Sequence, residues 1–323
     1  MKRLIAILAA AMMLLTACTS GGGSASVPAA SAGAEQSAQG TCAFTDSLGN
    51  HIELEQPPKR VAALLGSYAE TWLLAGGEVV AVTQDAYDER GLELPKETVN
   101  LGANQQPDLE SLFAAEPDLV LLTPDLDGQM ALKDSLEAAG IPAAWFKVET
   151  FADYLNMLKI CTDLTGRSDL YQKNGLDIQS DIDAAIASVP EGDGPSVLLL
   201  RAYSSGVRAK NSDNIAGAIL KDLGAKNIAD SDSRLLEDLQ MEAILAADPE
   251  FIFVTTMGAS QEAALKSLDE LLHSDPAWQT LTAVKEGRVD VLPKDLFHYK
   301  PNARWGESYQ MLAELMYGNG ETA

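Results

Sequence analysis

The sequence has few of the residues on which metal sites and nucleic-acid interfaces depend. Its three histidines, His51, His273 and His298, are widely spaced, which argues against a multi-histidine site for a bare metal ion. Only 23 lysines and arginines stand against 47 acidic residues, and the net charge of −24 argues against nucleic acid, which requires a basic surface. Beyond the N-terminus, no apolar run is long enough to cross a membrane.

Catalytic motifs are also missing from the sequence. It contains no serine nucleophile elbow, no phosphate-binding loop and neither of the metal-binding patterns HExxH and CxxC. We therefore expect a protein that is not an enzyme and that carries no cofactor of its own.

The N-terminus has the features of a secretory signal. Lys2 and Arg3 precede an apolar stretch over residues 4–15 that is too short to span a bilayer. The letters LTAC at 15–18 are similar to a bacterial lipobox, in which the cysteine is lipidated; the alternative is a plain signal peptide with Cys18 incidental. Glycine, serine, alanine, proline and glutamine dominate up to about residue 39, which predicts a flexible tether. We expect a signal peptide at 1–17, a tether at 18–41 and an extracytoplasmic protein anchored to the bacterial membrane through Cys18.

The remaining two cysteines leave one question open. Cys42 and Cys161 could form a disulfide outside the membrane, but their separation in sequence does not decide whether they meet.

An internal repeat indicates two lobes. Residues 108–123 read DLESLFAAEPDLVLLT and residues 240–255 read QMEAILAADPEFIFVT. Each segment predicts a short helix that ends at an acidic residue and proline, followed by a buried apolar strand. We predict two Rossmann-like α/β lobes at 42–149 and 195–323, with a ligand cleft between them.

Further strands and a connecting helix complete the predicted fold. Strands are expected at 60–65, 79–83, 143–146 and 197–200, and a helix at 68–75. Residues 150–194 lack strands, and their apolar positions follow helical spacing, so we expect a long interdomain helix region that limits closure of the lobes.

The folded body resembles the helical-backbone class of periplasmic binding proteins, which serves importers of iron–siderophore complexes, haem and cobalamin. The resemblance runs from about residue 44 to 317. It is carried by TDSLGN at 45–50, PKRV at 58–61, GSYAE at 66–70, PDLE at 107–110, EPDLV at 116–120, SDPAW at 274–278 and VKEGRV at 284–289.

This resemblance implies a substrate-binding lipoprotein of an ABC importer, binding a ferric–siderophore or related iron complex and delivering it to the permease. A cobalamin or other corrinoid ligand, or haem, is the alternative within the class, and a structural or adhesive surface lipoprotein is the alternative outside it. Any metal is expected only within the bound ligand. We also expect a monomer whose partners are the permease subunits, the chelate and the membrane.

Candidate ligand contacts follow from the rule that such clefts lie at the carboxyl ends of strands. Arginines suit anionic oxygens, and aromatic side chains suit a flat or conjugated chelate. Ordinary packing and structural ion pairs are the alternatives. The candidates are Ser67, Tyr68, Gln105, Arg201, Tyr203, Met257, His298, Tyr299, Arg304 and Trp305.

Two further roles follow from the resemblance. Met257 stands where some haem-binding members place an axial ligand, but opposite Gln105 it would make a poor haem clamp, so packing or apolar contact is the alternative. Glu70 and Glu242 match family positions whose carboxylates meet arginines of the permease. Glu110, the repeat partner of Glu242, is the rival for the first-lobe role.

Overall fold

One parallel and one largely parallel sheet, each flanked by helices, form the body of the protein. The computed structural model describes residues 35–36, 42–258 and 260–318; the predicted signal peptide, Cys18 and most of the tether lie outside the described residues. A small antiparallel sheet comes first in the chain, with order β1-β2-β3. Its strands are β1 (Glu35–Gln36), β2 (Cys42–Thr45) and β3 (His51–Leu54).

The first lobe contains a five-stranded sheet with order β6-β5-β4-β7-β8, in which all pairings are parallel. Its elements are β4 (Val61–Ala63), α1 (Gly66–Leu74), β5 (Val79–Val82), α2 (Asp85–Asp88), β6 (Val99–Asn100), α3 (Leu109–Ala114), β7 (Leu119–Leu122), α4 (Asp127–Met130), α5 (Lys133–Ala138) and β8 (Ala143–Trp145).

A helical connector joins the lobes. It consists of α6 (Phe151–Thr165), α7 (Ser168–Tyr171), a π-helical segment (Gln172–Leu176) and α8 (Asp177–Ala187). Thr150 and Asp153 form a reciprocal capping box that begins α6, and Gly166 ends it in the left-handed region at φ 72°. The connector is therefore several helical segments rather than one continuous helix.

The second lobe contains a mixed sheet with order β10-β9-β12-β13, and β11 pairs with β9 outside this path. Its elements are β9 (Ser196–Tyr203), β10 (Gly206–Ala209), α9 (Ile215–Asp222), β11 (Lys226–Asn227), α10 (Ile228–Ser231), α11 (Arg234–Glu237), α12 (Met241–Ala247), β12 (Phe251–Thr256), α13 (Gln261–Ser274), a 3₁₀ turn (Pro276–Thr280), α14 (Thr282–Lys285), β13 (Val289–Val291), α15 (Lys294–Phe297), a 3₁₀ turn (Asn302–Arg304) and α16 (Trp305–Tyr317).

Helices cover both faces of each sheet, which explains why the central strands are apolar throughout. Along β9, Leu199 packs into a core shared with the first lobe and the connector, whereas Leu200 packs into a separate core beneath α12 and α13. Every residue of β7 and of β12 is buried. Full burial of such a side chain contributes about 1.5–3 kcal/mol, so these runs hold the sheets together.

The internal repeat is present in three dimensions. The helices α3 and α12 each lead into a central strand, β7 and β12 respectively. The acidic residue before each proline adopts positive φ, 46° at Glu116 and 39° at Asp248, so both halves make the same tight exit from the helix. The predicted fold class is confirmed. No helix in the described part of the chain has the length and apolarity that a membrane span needs.

Candidate ligand-binding cleft

The segment between α15 and α16 brings the second lobe against the first. Asn302, at φ 52° and 1% exposed, donates from Nδ2 to the carbonyl oxygen of Ser67 at 2.9 Å and to Oε2 of Glu70 at 2.6 Å. Arg90 forms an ion pair with the same carboxylate. We call Ser67, Glu70, Arg90 and Asn302 the interlobe network. Because it joins a largely buried arginine, its carboxylate partner and a buried left-handed residue, it is a specific contact between the lobes.

Tyr68 is buried close to the interlobe network. Its side chain is 1% exposed, and its hydroxyl donates to the carbonyl oxygen of Phe146 at 2.5 Å. The ammonium of Lys300, from the second lobe, lies 5.8 Å from the ring centroid. Burial lowers the pKa of Lys300, although nearby carboxylates, Asp125 foremost, act in the opposite direction. Tyr68 is therefore packed inside the protein, and its contact with a ligand stays a prediction.

A cationic group surrounds His298 at the edge of the second lobe. Burial, followed by the charges of Arg201, Lys294 and Lys300, lowers the pKa of His298 to about 4, so its imidazole is neutral at physiological pH. Tyr299 lies beside it, with ring centroids 5.3 Å apart. Arg201 lies in the last part of β9, and the other residues follow the end of β13.

Two of these cations are held in place by hydrogen bonds that leave other donors available. Arg201 is half-buried and donates from Nε to Oγ1 of Thr255 at 3.3 Å. Lys294 donates to the carbonyl oxygen of Gly258 at 2.8 Å and lies 5.9 Å from the ring centroid of Tyr299. Tyr203 is also half-buried, and Met257, 38% exposed, follows β12 directly. Gln105 is exposed in the loop between β6 and α3.

Three predicted contacts are engaged in packing, ion pairs or backbone hydrogen bonds within the protein. Trp305 is fully buried and packs against Phe151 with ring centroids 6.1 Å apart, because it faces the core from the first turn of α16. Arg304 is exposed and forms ion pairs with Asp295 and Glu307, so its contact with a ligand stays a prediction. Ser67 is buried, and its carbonyl oxygen already accepts from Asn302.

The acidic candidates for permease docking differ in exposure and in their partners. The Glu70 carboxylate is engaged within the interlobe network, and its docking role stays a prediction. Its rival Glu110 is exposed in the first turn of α3, and Glu242 is exposed in the first turn of α12. The exposed pair is therefore the repeat-related pair.

Sequence reasoning missed several residues of this region. Lys300 and Asn302 lie in the aromatic-rich segment at 297–305 but were not singled out, and neither were Arg90 and Lys294. The left-handed Asn302 follows a proline and precedes a helix, a context in which a turn could have been recognised. Among the described residues, no group of three or more acidic, histidine or cysteine side chains could hold a metal ion. Both Cys42 and Cys161 are buried in the core, and burial raises the pKa of the Cys161 thiol.

Comparison with known proteins assigns this chain to a family. Residues 61–296 match the family model of periplasmic binding proteins. The Fe(3+) dicitrate-binding periplasmic protein FecB of Escherichia coli K12 is 23% identical over 253 residues, covering 73% of this chain and 77% of its own.

Two solved structures are similar in fold. Staphylococcus aureus SirA complexed with staphyloferrin B has a TM-score of 0.64 and 21% identity, covering 85% of this chain and 97% of its own. The periplasmic heme binding protein HutB of Vibrio cholerae has a TM-score of 0.65 and 22% identity, covering 80% of this chain and 98% of its own. Through the family match over residues 61–296, the chain belongs to the periplasmic binding proteins, which are substrate-binding components of transporters rather than enzymes.

Proposed function

We propose that the protein captures a ferric–siderophore or related anionic iron complex between its lobes and delivers it to an ABC permease. The observation that carries this proposal is the cationic group of Arg201, Lys294 and Lys300 around a neutral His298. The chain has a net charge of −24, yet three positive charges lie together at this edge. They repel one another, and an anionic ligand would offset that repulsion. Half-buried positions strengthen this attraction because solvent screens it less.

The ligands for which similar proteins are named support the same class of ligand. FecB is named for ferric dicitrate, and SirA was solved with staphyloferrin B. Haem is the second candidate, since HutB is named for it. An axial pair for haem iron is harder to assemble here, because the phenol of Tyr68 is buried and donates to Phe146, which leaves His298 or the exposed Met257.

A ligand panel tests this function. Ferric citrate, a ferric catecholate, a ferric hydroxamate, cobalamin and haem are each added to the purified protein, and the melting temperature is recorded. A ligand at 100 times its dissociation constant stabilises the folded state by about 2.7 kcal/mol, which is readily measured. We expect an anionic ferric chelate to give the largest shift. A response to cobalamin or haem alone would replace the iron-chelate proposal by that alternative.

Delivery would depend on Glu110 and Glu242. Each carboxylate is exposed at the start of the helix that precedes a central strand, so the two are related by the internal repeat and present one negative charge per lobe. Replacement of both by lysine should abolish uptake while ligand affinity stays within twofold of the wild type. The matched control reverses the exposed Glu137 and Glu262 in the same way. Uptake that survives in the Glu110/Glu242 variant would contradict the docking role.

Lipid anchoring is the remaining part of the proposal. The lipobox-like residues before Cys18 support an extracytoplasmic protein tethered to the bacterial membrane. Cys18→Ala should move the protein from the detergent phase to the aqueous phase of fractionated cells. Equal partition of the two proteins would argue for a plain signal peptide instead.

A further inference from the structure

Two arginines lie opposite each other on the hairpin of the second lobe. In the antiparallel pairing of β9 with β10, Arg201 pairs with Arg208, and in the parallel pairing of β9 with β12, Arg201 pairs with Thr255. Cross-strand partners project from the same face with Cβ atoms about 5 Å apart. The three side chains therefore form one row across β10, β9 and β12.

Neither arginine of this row has a carboxylate partner. Of the arginines in the described part of the chain, Arg201 and Arg208 form no ion pair, and Arg60 instead donates to the carbonyl oxygens that end α3. The other described arginines pair with carboxylates: Arg90, Arg167, Arg234, Arg288 and Arg304.

Like charges directly opposite one another destabilise a strand pair. The sequence has about twice as many acidic as basic residues. Among the described residues, however, no carboxylate lies within ion-pair distance of Arg201 or Arg208. Glu237 and Asp238 do line a pocket of about 190 Å³ beside Arg208, but only the backbone carbonyl of Glu237 accepts from it, at 3.5 Å. Most of the N–H groups of these two guanidinium groups are thus available to donate hydrogen bonds to a ligand.

We propose that Arg201 and Arg208 form a two-arginine site for carboxylate groups of the ligand, which makes the substrate a ferric polycarboxylate chelate. The inference rests on the proposed function and narrows its ligand class. A guanidinium fork binds a carboxylate through two parallel hydrogen bonds, a geometry that a single lysine ammonium does not provide. Arg201 is also a member of the cationic group around His298, so carboxylates held by the row lie next to Lys294 and Lys300, which would face the metal-bound oxygens.

Binding of two chelates to the full-length protein and its variants tests the site. Iron(III) citrate is the polycarboxylate probe, and an uncharged ferric trihydroxamate is the second. We expect Arg201→Gln and Arg208→Gln each to weaken binding of iron(III) citrate about tenfold or more, because each removes charge-assisted hydrogen bonds. Arg201→Lys and Arg208→Lys, which keep the charge but lose the fork, should weaken it less. The matched control is Arg234→Gln, an exposed arginine of the same lobe that is paired with Asp232.

Stability of the unliganded variants gives an independent readout. Since Arg208→Gln removes a like-charge contact, its melting temperature without ligand should equal or exceed that of the wild type, while the shift caused by iron(III) citrate should shrink. A ligand-free loss of stability in that variant would show that the row is structural and would overturn the site.

The outcomes separate this inference from the proposed function. If the wild type binds iron(III) citrate and affinity survives both substitutions, the two-arginine site is wrong and the iron-chelate function stands. Tighter binding of the hydroxamate than of the citrate complex likewise overturns only the ligand class. If the wild type binds no chelate of the panel, the proposed function fails and this inference fails with it.

Discussion

Asn302→Ala should destabilise the protein by about 3–4 kcal/mol. The substitution removes a hydrogen bond to a neutral acceptor, worth about 1 kcal/mol, and one to a carboxylate, worth about 2 kcal/mol. It also places alanine at φ 52°, where a side chain without a local hydrogen bond costs about 1 kcal/mol. The bonds concerned join Asn302 to Ser67 and Glu70, more than 200 residues earlier in the chain.

Chemical unfolding followed by tryptophan fluorescence measures this effect. All four tryptophans, Trp72, Trp145, Trp278 and Trp305, are buried, so their emission reports loss of the core in both lobes. The control is Asn302→Gly, which accepts positive φ but makes neither hydrogen bond, and which should be about 1 kcal/mol less destabilised than the alanine variant. A change below 0.5 kcal/mol for Asn302→Ala would refute the argument.

Three further results are expected from residues at or near the cleft. The folded-state pKa of His298, about 4, lies below its unfolded value of about 6.5, so the unfolded chain binds more protons in that window. Wild-type stability should therefore fall relative to His298→Gln as the pH drops from 6.5 toward 4; parallel curves would contradict this. Tyr68→Phe should cost about 1–2 kcal/mol by leaving the carbonyl of Phe146 unpaired, with an unchanged unfolding midpoint as the contrary result. Trp305→Ala should cost about 3–5 kcal/mol through a core cavity, whereas a loss of ligand affinity without loss of stability would restore its predicted cleft role.

Much of the fold could be predicted because buried parallel strands leave a plain mark on the sequence. The runs LVLL at 119–122 and FIFVTT at 251–256 are apolar throughout since helices cover both faces of each sheet. The hairpin strand β10 was missed, because four residues at a sheet edge, one of them Arg208, carry neither an apolar run nor a clear alternation. The predicted strand at 197–200 was accordingly too short by several residues.

The site was harder to predict because its contacts join distant parts of the chain. Arg201 could be proposed as a cleft residue, since it follows the predicted strand at 197–200, and His298 because it lies among aromatic and basic residues. The contacts of Glu70 with Arg90 and Asn302 could not be predicted, because no local pattern relates a carboxylate to an asparagine 232 residues away. Arg304 and Trp305 are adjacent in sequence, but the rotation of the backbone between them, about 100° per helical residue, directs the first to solvent and the second into the core.

The connector has a practical consequence for anyone who builds a ligand sensor from this chain. Near its middle, Asn174 donates to the carbonyl oxygen of Leu74, which holds the connector on the first lobe. Near the end of the connector, α8 packs closely against α16 of the second lobe. A Cβ atom at Gly306 of α16 would lie 3.2 Å from the Cβ of Asp181 in α8, so this contact holds the connector on the second lobe. A pair of fluorophores with one on each lobe would therefore report little change in distance on binding. An environment-sensitive dye on a cysteine introduced at Met257, exposed at the cleft edge, is the better design.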